Sequence, residues 1–263
     1  MKKNKYSFEF FERPGHFWSD NKLAYYVDEL KKVASECFDE IPLYQVLTGQ
    51  REELKKITLI IARDAQGKAV GFSSSLIIER GILHLGLTCV IPSARRGGMT
   101  HKLMSKLIVQ YMLRNSIFTK LWVTNCACVI SSLGNIALNF DNVYPSPFGE
   151  SRPSEKQLEI AKKINQLYRE PIAINADSVF DEKKFVFKQS VKGTVFQKRA
   201  DDSRYYHREQ EVTDYYKNIM NFDEGDEVLQ VASISLFSFP KYLIKQISRK
   251  SRKRPHPQQG RAA

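Results

Sequence analysis

Leu83 to Met112 reads LHLGLTCVIPSARRGGMTHKLMSKLIVQYM. Leu83 to Ile91 is rich in branched apolar residues and is stopped by Pro92-Ser93, which predicts a buried strand followed by a turn. From Thr100 onward, Leu103, Met104, Leu107, Ile108, Tyr111 and Met112 recur at i, i+3, i+4 and i+7, the signature of a helix with one face on a sheet. Between strand and helix lies Arg95-Arg96-Gly97-Gly98-Met99-Thr100. Glycines there let the backbone turn sharply and approach a ligand, while the first N–H groups of the helix lack intrahelical acceptors and carry the positive end of its dipole. Those features describe an anion site, and two adjacent arginines suit a di- or triphosphate. An ordinary strand-to-helix connection with surface arginines is the plainer alternative.

The spacing excludes two phosphate loops. It lacks the G-x-G-x-x-G of dinucleotide binding and the Gly-Lys-Ser/Thr ending of a Walker A loop. Val90 to Thr100 instead resembles the acyl-CoA-binding motif of the GNAT superfamily of N-acyltransferases. In that motif Arg or Gln, two free positions, Gly, one free position and Gly or Ala wrap the CoA pyrophosphate. Arg95, Gly98 and Thr100 occupy those places, with Thr100 departing from the usual Gly or Ala, and Arg96, Gly97 and Met99 complete the turn. The resemblance spans Ile57 to Phe140. It implies an α/β (mixed α+β) fold: a GNAT-like central mixed, mostly antiparallel sheet flanked by helices, with a split between two central strands. The pantetheine arm of acetyl-CoA or another acyl-CoA would lie in that split, against the backbone of Thr88, Cys89 and Val90 on one side and the Asn125 amide on the other. For Asn125 a strand-end turn role stands as the alternative.

The rest of the chain fits this frame. Ile57–Ala62 and Ala69–Ile78 are strand candidates around the turn Asp64-Ala65-Gln66-Gly67-Lys68, and Gly81 leads into the central strand. Phe118–Cys128 reads as the next strand and Val129–Leu138 as a short helix. Ahead of these, Phe8 to Trp18 is an aromatic lead-in, and Leu23, Val27, Leu30, Ala34 and Phe38 predict a helix after a Ser19-Asp20 cap. Ser154 and Gln157 form a capping-box pattern opening a helix over 155–169. Phe185–Phe187, Thr194–Gln197 and Val228–Leu236 are read as strands and Gln210–Met220 as a helix.

With 263 residues, 42% hydrophobic and 11% aromatic, the chain can fill a core as one domain over 1–240. Of the +12 formal charge, eight positive charges sit in 241–263 with no acid, from Lys241 to Arg261, so the basicity belongs mainly to a tail expected to be solvated and disordered. Within it, residues 249–254 suit a nucleic-acid or anionic-surface contact. No apolar run reaches the roughly 18 residues of a membrane span, and the N-terminus lacks an apolar signal region, making a cytoplasmic location the default. Cys37, Cys89, Cys126 and Cys128 show neither C-x-x-C nor zinc spacing and are expected reduced, with no metal.

The resemblance thus implies an enzyme, an acyl-CoA-dependent N-acyltransferase moving an acetyl or longer acyl group to an amine acceptor whose identity the sequence leaves open. Related family members carry a glutamate base on the central strand. Here His84, eleven positions before Arg95, holds a comparable place, and an imidazole suits proton acceptance near neutrality. A histidine packed on the sheet is the competing reading, with Glu79 the substitute base. Tyr144, Ser131 and Cys128 are candidate acids; the expected tyrosine is missing from 129–140. Two other function classes remain: an acyl-CoA-binding or sensing module without turnover, and a nucleic-acid-associated protein acting through its tail.

Overall fold

The computed structural model describes residues 5–95, 97–115 and 119–235. Its sheet runs β1 (Ser7–Glu12), β2 (Ile57–Arg63), β3 (Ala69–Glu79), β4 (Ile82–Val90), β5 (Leu121–Ala127), β9 (Glu227–Ile234), β8 (Val186–Lys188) and β7 (Val179–Asp181), with β6 (Asp141–Tyr144) also paired to β9. Among the described residues the pairs are antiparallel except β4 with β5, which is parallel. The expected fold class, mixed and mostly antiparallel, is what the chain adopts.

Helices α1 (Asp20–Ser35), α2 (Arg51–Leu54), α3 (Met99–Asn115), α4 (Ile130–Asn139), α5 (Glu155–Leu167) and α6 (Gln210–Ile219) accompany the sheet. Both of its faces are covered, which is why β2 is buried along its whole length and β3 at every residue but Glu79. On one face Leu30 and Val33 of α1 and Ile160 and Ile164 of α5 pack with Ile57, Leu59, Ile61 and Phe72. On the other, Leu103, Leu107, Ile108 and Met112 of α3 pack with Ile60, Ala62, Leu83 and Leu85. Each such fully buried Leu or Ile contributes about 2 kcal/mol by leaving water. A third cluster joins Ile130 and Leu133 of α4 to Val212 and Tyr216 of α6.

The caps are where the sequence places them. Ser19 accepts from the Lys22 N–H at 3.3 Å, and Ser154 with Gln157 closes a capping box ahead of α5. The lead-in differs from expectation: residues 7–12 form edge strand β1, because Phe8 and Phe10 bury against α3 beneath Lys106 and Arg114, each 4.8 Å from a ring centre. Arg63 locks this edge to α1, bonding Glu9 at 3.0 Å and Glu29 at 2.6 Å.

Thr194–Gln197 is not a strand. The Thr194 hydroxyl donates to Val191 O at 2.9 Å and accepts the Phe196 N–H at 3.2 Å, local bonds that compete with a ladder. β9 begins one residue earlier than expected, at Glu227. Phe118, Leu236 and the basic tail 241–263 lie outside the described residues. None of the described helices is long and apolar enough to cross a membrane.

Candidate active site

The glycine turn takes the shape its residues require. Gly97 and Gly98 hold φ of 95° and 74°, a region that penalises any side chain, and a Cβ at either would project into open space. The first helical bond of α3 runs from the Lys102 N–H to Gly98 O at 3.0 Å, so the N–H groups of Met99 and Thr100 precede any intrahelical acceptor. Arg95 and Thr100 are exposed beside them, whereas the Met99 side chain is 1% exposed and belongs to the core, leaving only its backbone to a ligand. Arg96 lies outside the described residues.

Above this turn the central strands part. β4 and β5 pair from Ile82↔Trp122 to Leu85↔Asn125 and no further, while β4 continues along β3 to Val90 and β5 along β9 to Ala127. The β4 edge from Gly86 to Val90 therefore lacks a β5 partner. An irregularity in the β3–β4 register between Ser73 and Ser75 coincides with the split. Gly86 sits there under Gln45, whose side-chain amide occupies the space a Cβ would need. Gln45 itself has a positive φ of 47° and accepts from the Ser74 hydroxyl at 2.6 Å.

Three strand residues expected at the split have partners of their own. The Thr88 hydroxyl shares a hydrogen bond with Ser73 at 2.8 Å, and Val90 O accepts from Arg95 Nε at 3.0 Å and from the Cys37 thiol at 3.4 Å. Cys89 is buried against Cys37; the Cys89 thiol and then Arg95 hold the Cys37 thiol below its ordinary value, against burial. Asn125 is buried and donates to Gln230 Oε1 at 3.3 Å, within a network in which Gln230 also bonds the Tyr216 hydroxyl at 2.7 Å. The backbone of β4 from Gly86 on, where the resemblance sets the pantetheine arm, lacks a β5 partner, while Val90 O and the Asn125 amide are already engaged.

His84 is 1% exposed, with Nδ1 2.9 Å from Thr124 Oγ1, and burial lowers its pKa to about 3. The ring is packed within the sheet and hydrogen-bonded to the neighbouring strand, and burial disfavours its charged form. Glu79 ends β3, opposite Ile82 at the end of β4 remote from the glycine turn, and pairs with Lys163 at 2.5 Å. Tyr144 is buried and donates to Lys183 O at 2.5 Å, and the Cys128 thiol donates to Phe196 O at 3.2 Å.

A buried carboxyl beside the free end of β5 is Glu227, at the start of β9, which sequence reading passed over. It is 7% exposed and makes none of the ion pairs found among the described residues. Glu227 Oε2 accepts from the Ser190 hydroxyl at 2.6 Å and the Cys126 thiol at 3.6 Å. Burial raises its pKa to about 7 despite those two bonds. Tyr44 lies within its field, the phenol pushed up chiefly by burial and then by Glu227. The available signal was an acid heading an otherwise apolar strand, which is uncommon without a partner.

Two concavities flank these elements. One, about 30 Å³, lies between α3 and α4 and is lined by Met104, Ser105, Ile108, Asn135 and Phe140. The other, about 330 Å³, lies beside Arg80, Lys120 and Lys156 at the end of β4 remote from the glycine turn. Among the described residues no group of three His, Cys, Asp or Glu is arranged to hold a metal ion.

No protein-family model matches the chain, and no curated protein matches it significantly. Solved structures do. A protein from Desulfovibrio desulfuricans assigned to the GNAT family is 9% identical, with a TM-score of 0.38, over 88% of this chain and 98% of its own. A GNAT-family acetyltransferase from Staphylococcus aureus is 12% identical, TM-score 0.37, over 52% and 84%. An acyl-CoA N-acyltransferase from Pseudomonas aeruginosa is 18% identical, TM-score 0.36, over 49% and 86%. Similarity at this level says nothing of substrate. The chain's own topology is a mixed, mostly antiparallel sheet with an antiparallel run into β4, a parallel β4–β5 pair that splits, and a glycine turn opening α3.

Proposed function

We propose that this protein is an acyl-CoA-dependent N-acyltransferase. The observation that carries the reading is the parting of β4 from β5 after Leu85↔Asn125, which leaves the β4 edge beside the glycine turn without a β5 partner. The pyrophosphate of acyl-CoA would rest on the N–H groups and Arg95 at the turn, where the helix dipole and guanidinium favour phosphate oxygens. The pantetheine amides would bond the open edge of β4 as a missing strand does. This places the thioester near the crotch of the split, where fixing it beside an amine contributes several kcal/mol to the barrier. The transfer forms a C–N bond as the C–S bond breaks, the sulfur keeping the electron pair and taking a proton.

One observation favours binding without turnover: α4 carries no tyrosine to protonate the leaving thiolate. The same experiment addresses both readings. Calorimetry with acetyl-CoA is expected to show saturable binding, and incubation with acetyl-CoA and a panel of amines is expected to give acetylated product by mass spectrometry. Binding with no product from any amine would support the sensing module, and absence of binding would overturn the acyl-CoA reading itself.

A further inference from the structure

Glu227 lies among groups that suit a particular kind of acceptor. On its face of the sheet, Tyr44 and Phe38 meet Phe196 edge-on, with ring centres 5.8 Å and 6.3 Å apart. Phe196 is tied to β5 through its carbonyl, which accepts the Cys128 thiol at 3.2 Å. Tyr44, Phe38, Phe196 and Cys126 are all partly exposed, whereas Glu227, bonded to Cys126 at 3.6 Å, is buried. A partly open aromatic cluster near a carboxyl that has no ion-pair partner among the described residues suits a cation that carries apolar surface.

Resting on the acyltransferase reading, we infer that the acceptor is a primary amine on an arylalkyl arm: Glu227 receives its ammonium group and takes the proton, and Tyr44, Phe38 and Phe196 enclose its apolar part. A carboxylate on the acceptor would be repelled by Glu227, and a polyamine would bring charges the aromatic wall cannot solvate.

The chemistry balances with groups already named. The acceptor ammonium loses two protons in becoming an amide. One passes to the Glu227 carboxylate and then to water as the amine attacks the thioester carbonyl carbon. The other leaves nitrogen as the C–N bond completes, and the departing sulfur takes up one proton. A base is most effective with a pKa near the working pH, and burial brings Glu227 to about 7. The other titratable groups around it do not compete: burial raises Cys126, and Cys128 to about 12, while Tyr44 is raised still higher. Lys198 bonds Val195 O at 3.0 Å, and neighbouring Asp226 turns away to Lys188 at 2.7 Å.

Phenethylamine, spermidine and L-phenylalanine, each with acetyl-CoA, test the inference in the full-length protein, product being measured by mass spectrometry and acetyl-CoA affinity by calorimetry. Phenethylamine is expected to be acetylated with a kcat/KM at least tenfold above the other two, rising with pH through about 7. Glu227→Gln should lose roughly 100-fold in kcat at unchanged acetyl-CoA affinity, and Tyr44→Ala should raise the KM for phenethylamine without changing that affinity. If acetyl-CoA binds but phenethylamine is not preferred, or Glu227→Gln turns over like wild type, the inference is overturned and the acyl-CoA reading stands. Failure to bind acetyl-CoA at all removes both.

Discussion

His84 and Thr124 face each other across the last turn of paired backbone before β4 and β5 separate, Nδ1 to Oγ1 at 2.9 Å and one register step below the final Leu85↔Asn125 pair. The bond clasps two parallel strands at the point where their ladder ends. A clasp there fixes where the split begins.

His84→Ala should therefore act on stability. Removing a fully buried ring leaves a cavity and orphans the Thr124 hydroxyl, together costing about 3 kcal/mol. We expect a lower Tm with acetyl-CoA affinity and turnover kept within about threefold in the folded protein at neutral pH. A loss of kcat of roughly 100-fold with affinity intact would instead return the base role to His84.

Gly98→Val tests the phosphate turn. At φ 74° a β-branched residue is strained, yet nothing lies near its Cβ, so the effect should be confined to the local backbone. Acetyl-CoA affinity is expected to fall at least tenfold by calorimetry while the circular dichroism spectrum is retained. Unchanged affinity would place the pyrophosphate elsewhere.

The strand–turn–helix at Leu83 to Met112 was legible because three signals agree there: a branched apolar run, paired glycines and helical spacing. They fix a local geometry whatever else surrounds it. The acceptor side was not legible, and the reason is physical. Gln45, Cys126, Ser190 and Glu227 come from four separate stretches that meet only when β9 returns beside β5 and the 44–48 turn folds over Gly86. Periodicity reports what a residue does on its own element, and Gln45 owes its role to a positive φ and a neighbour 41 positions away. His84 illustrates the converse. Its place on the central strand could be read, but which partner its ring would meet depended on the parallel register of β5.

Cys37 should be the first of the four cysteines to react with iodoacetamide. It is half-exposed, and the Cys89 thiol and Arg95 favour its thiolate, whereas burial raises Cys126 and Cys128. Peptide mapping after brief labelling at pH 7.5 is expected to find carbamidomethyl on Cys37 ahead of the others. Because Cys37 and Arg95 share Val90 O, saturating acetyl-CoA should slow that labelling. Faster modification of Cys126 than of Cys37 would contradict this arrangement.

Glu227 also sets a pH dependence of stability whose sign differs from that of an ordinary surface carboxylate. Its pKa is raised in the folded protein from 4.5 to about 7, chiefly by burial, so the folded state holds this proton more tightly than the unfolded chain does. The resulting stabilisation is fully present below pH 4.5 and is lost as pH rises through about 7, where the carboxylate ionises without an ion-pair partner. The difference between the two values corresponds to about 3 kcal/mol by linkage. Glutamine keeps the shape and an acceptor oxygen for Ser190 but cannot ionise. Glu227→Gln should accordingly gain stability over wild type as pH is raised from 5 to 8.5, by up to about 3 kcal/mol in urea unfolding. His84 runs in the opposite sense, its lowered pKa removing stability as pH falls from 6.5 toward 3, and because wild type and variant share it, it cancels in their difference. A wild-type-minus-variant difference that stayed flat between pH 5 and 8.5 would show that Glu227 is solvated or already paired in the folded protein, and would remove both its titration and its fitness as a base.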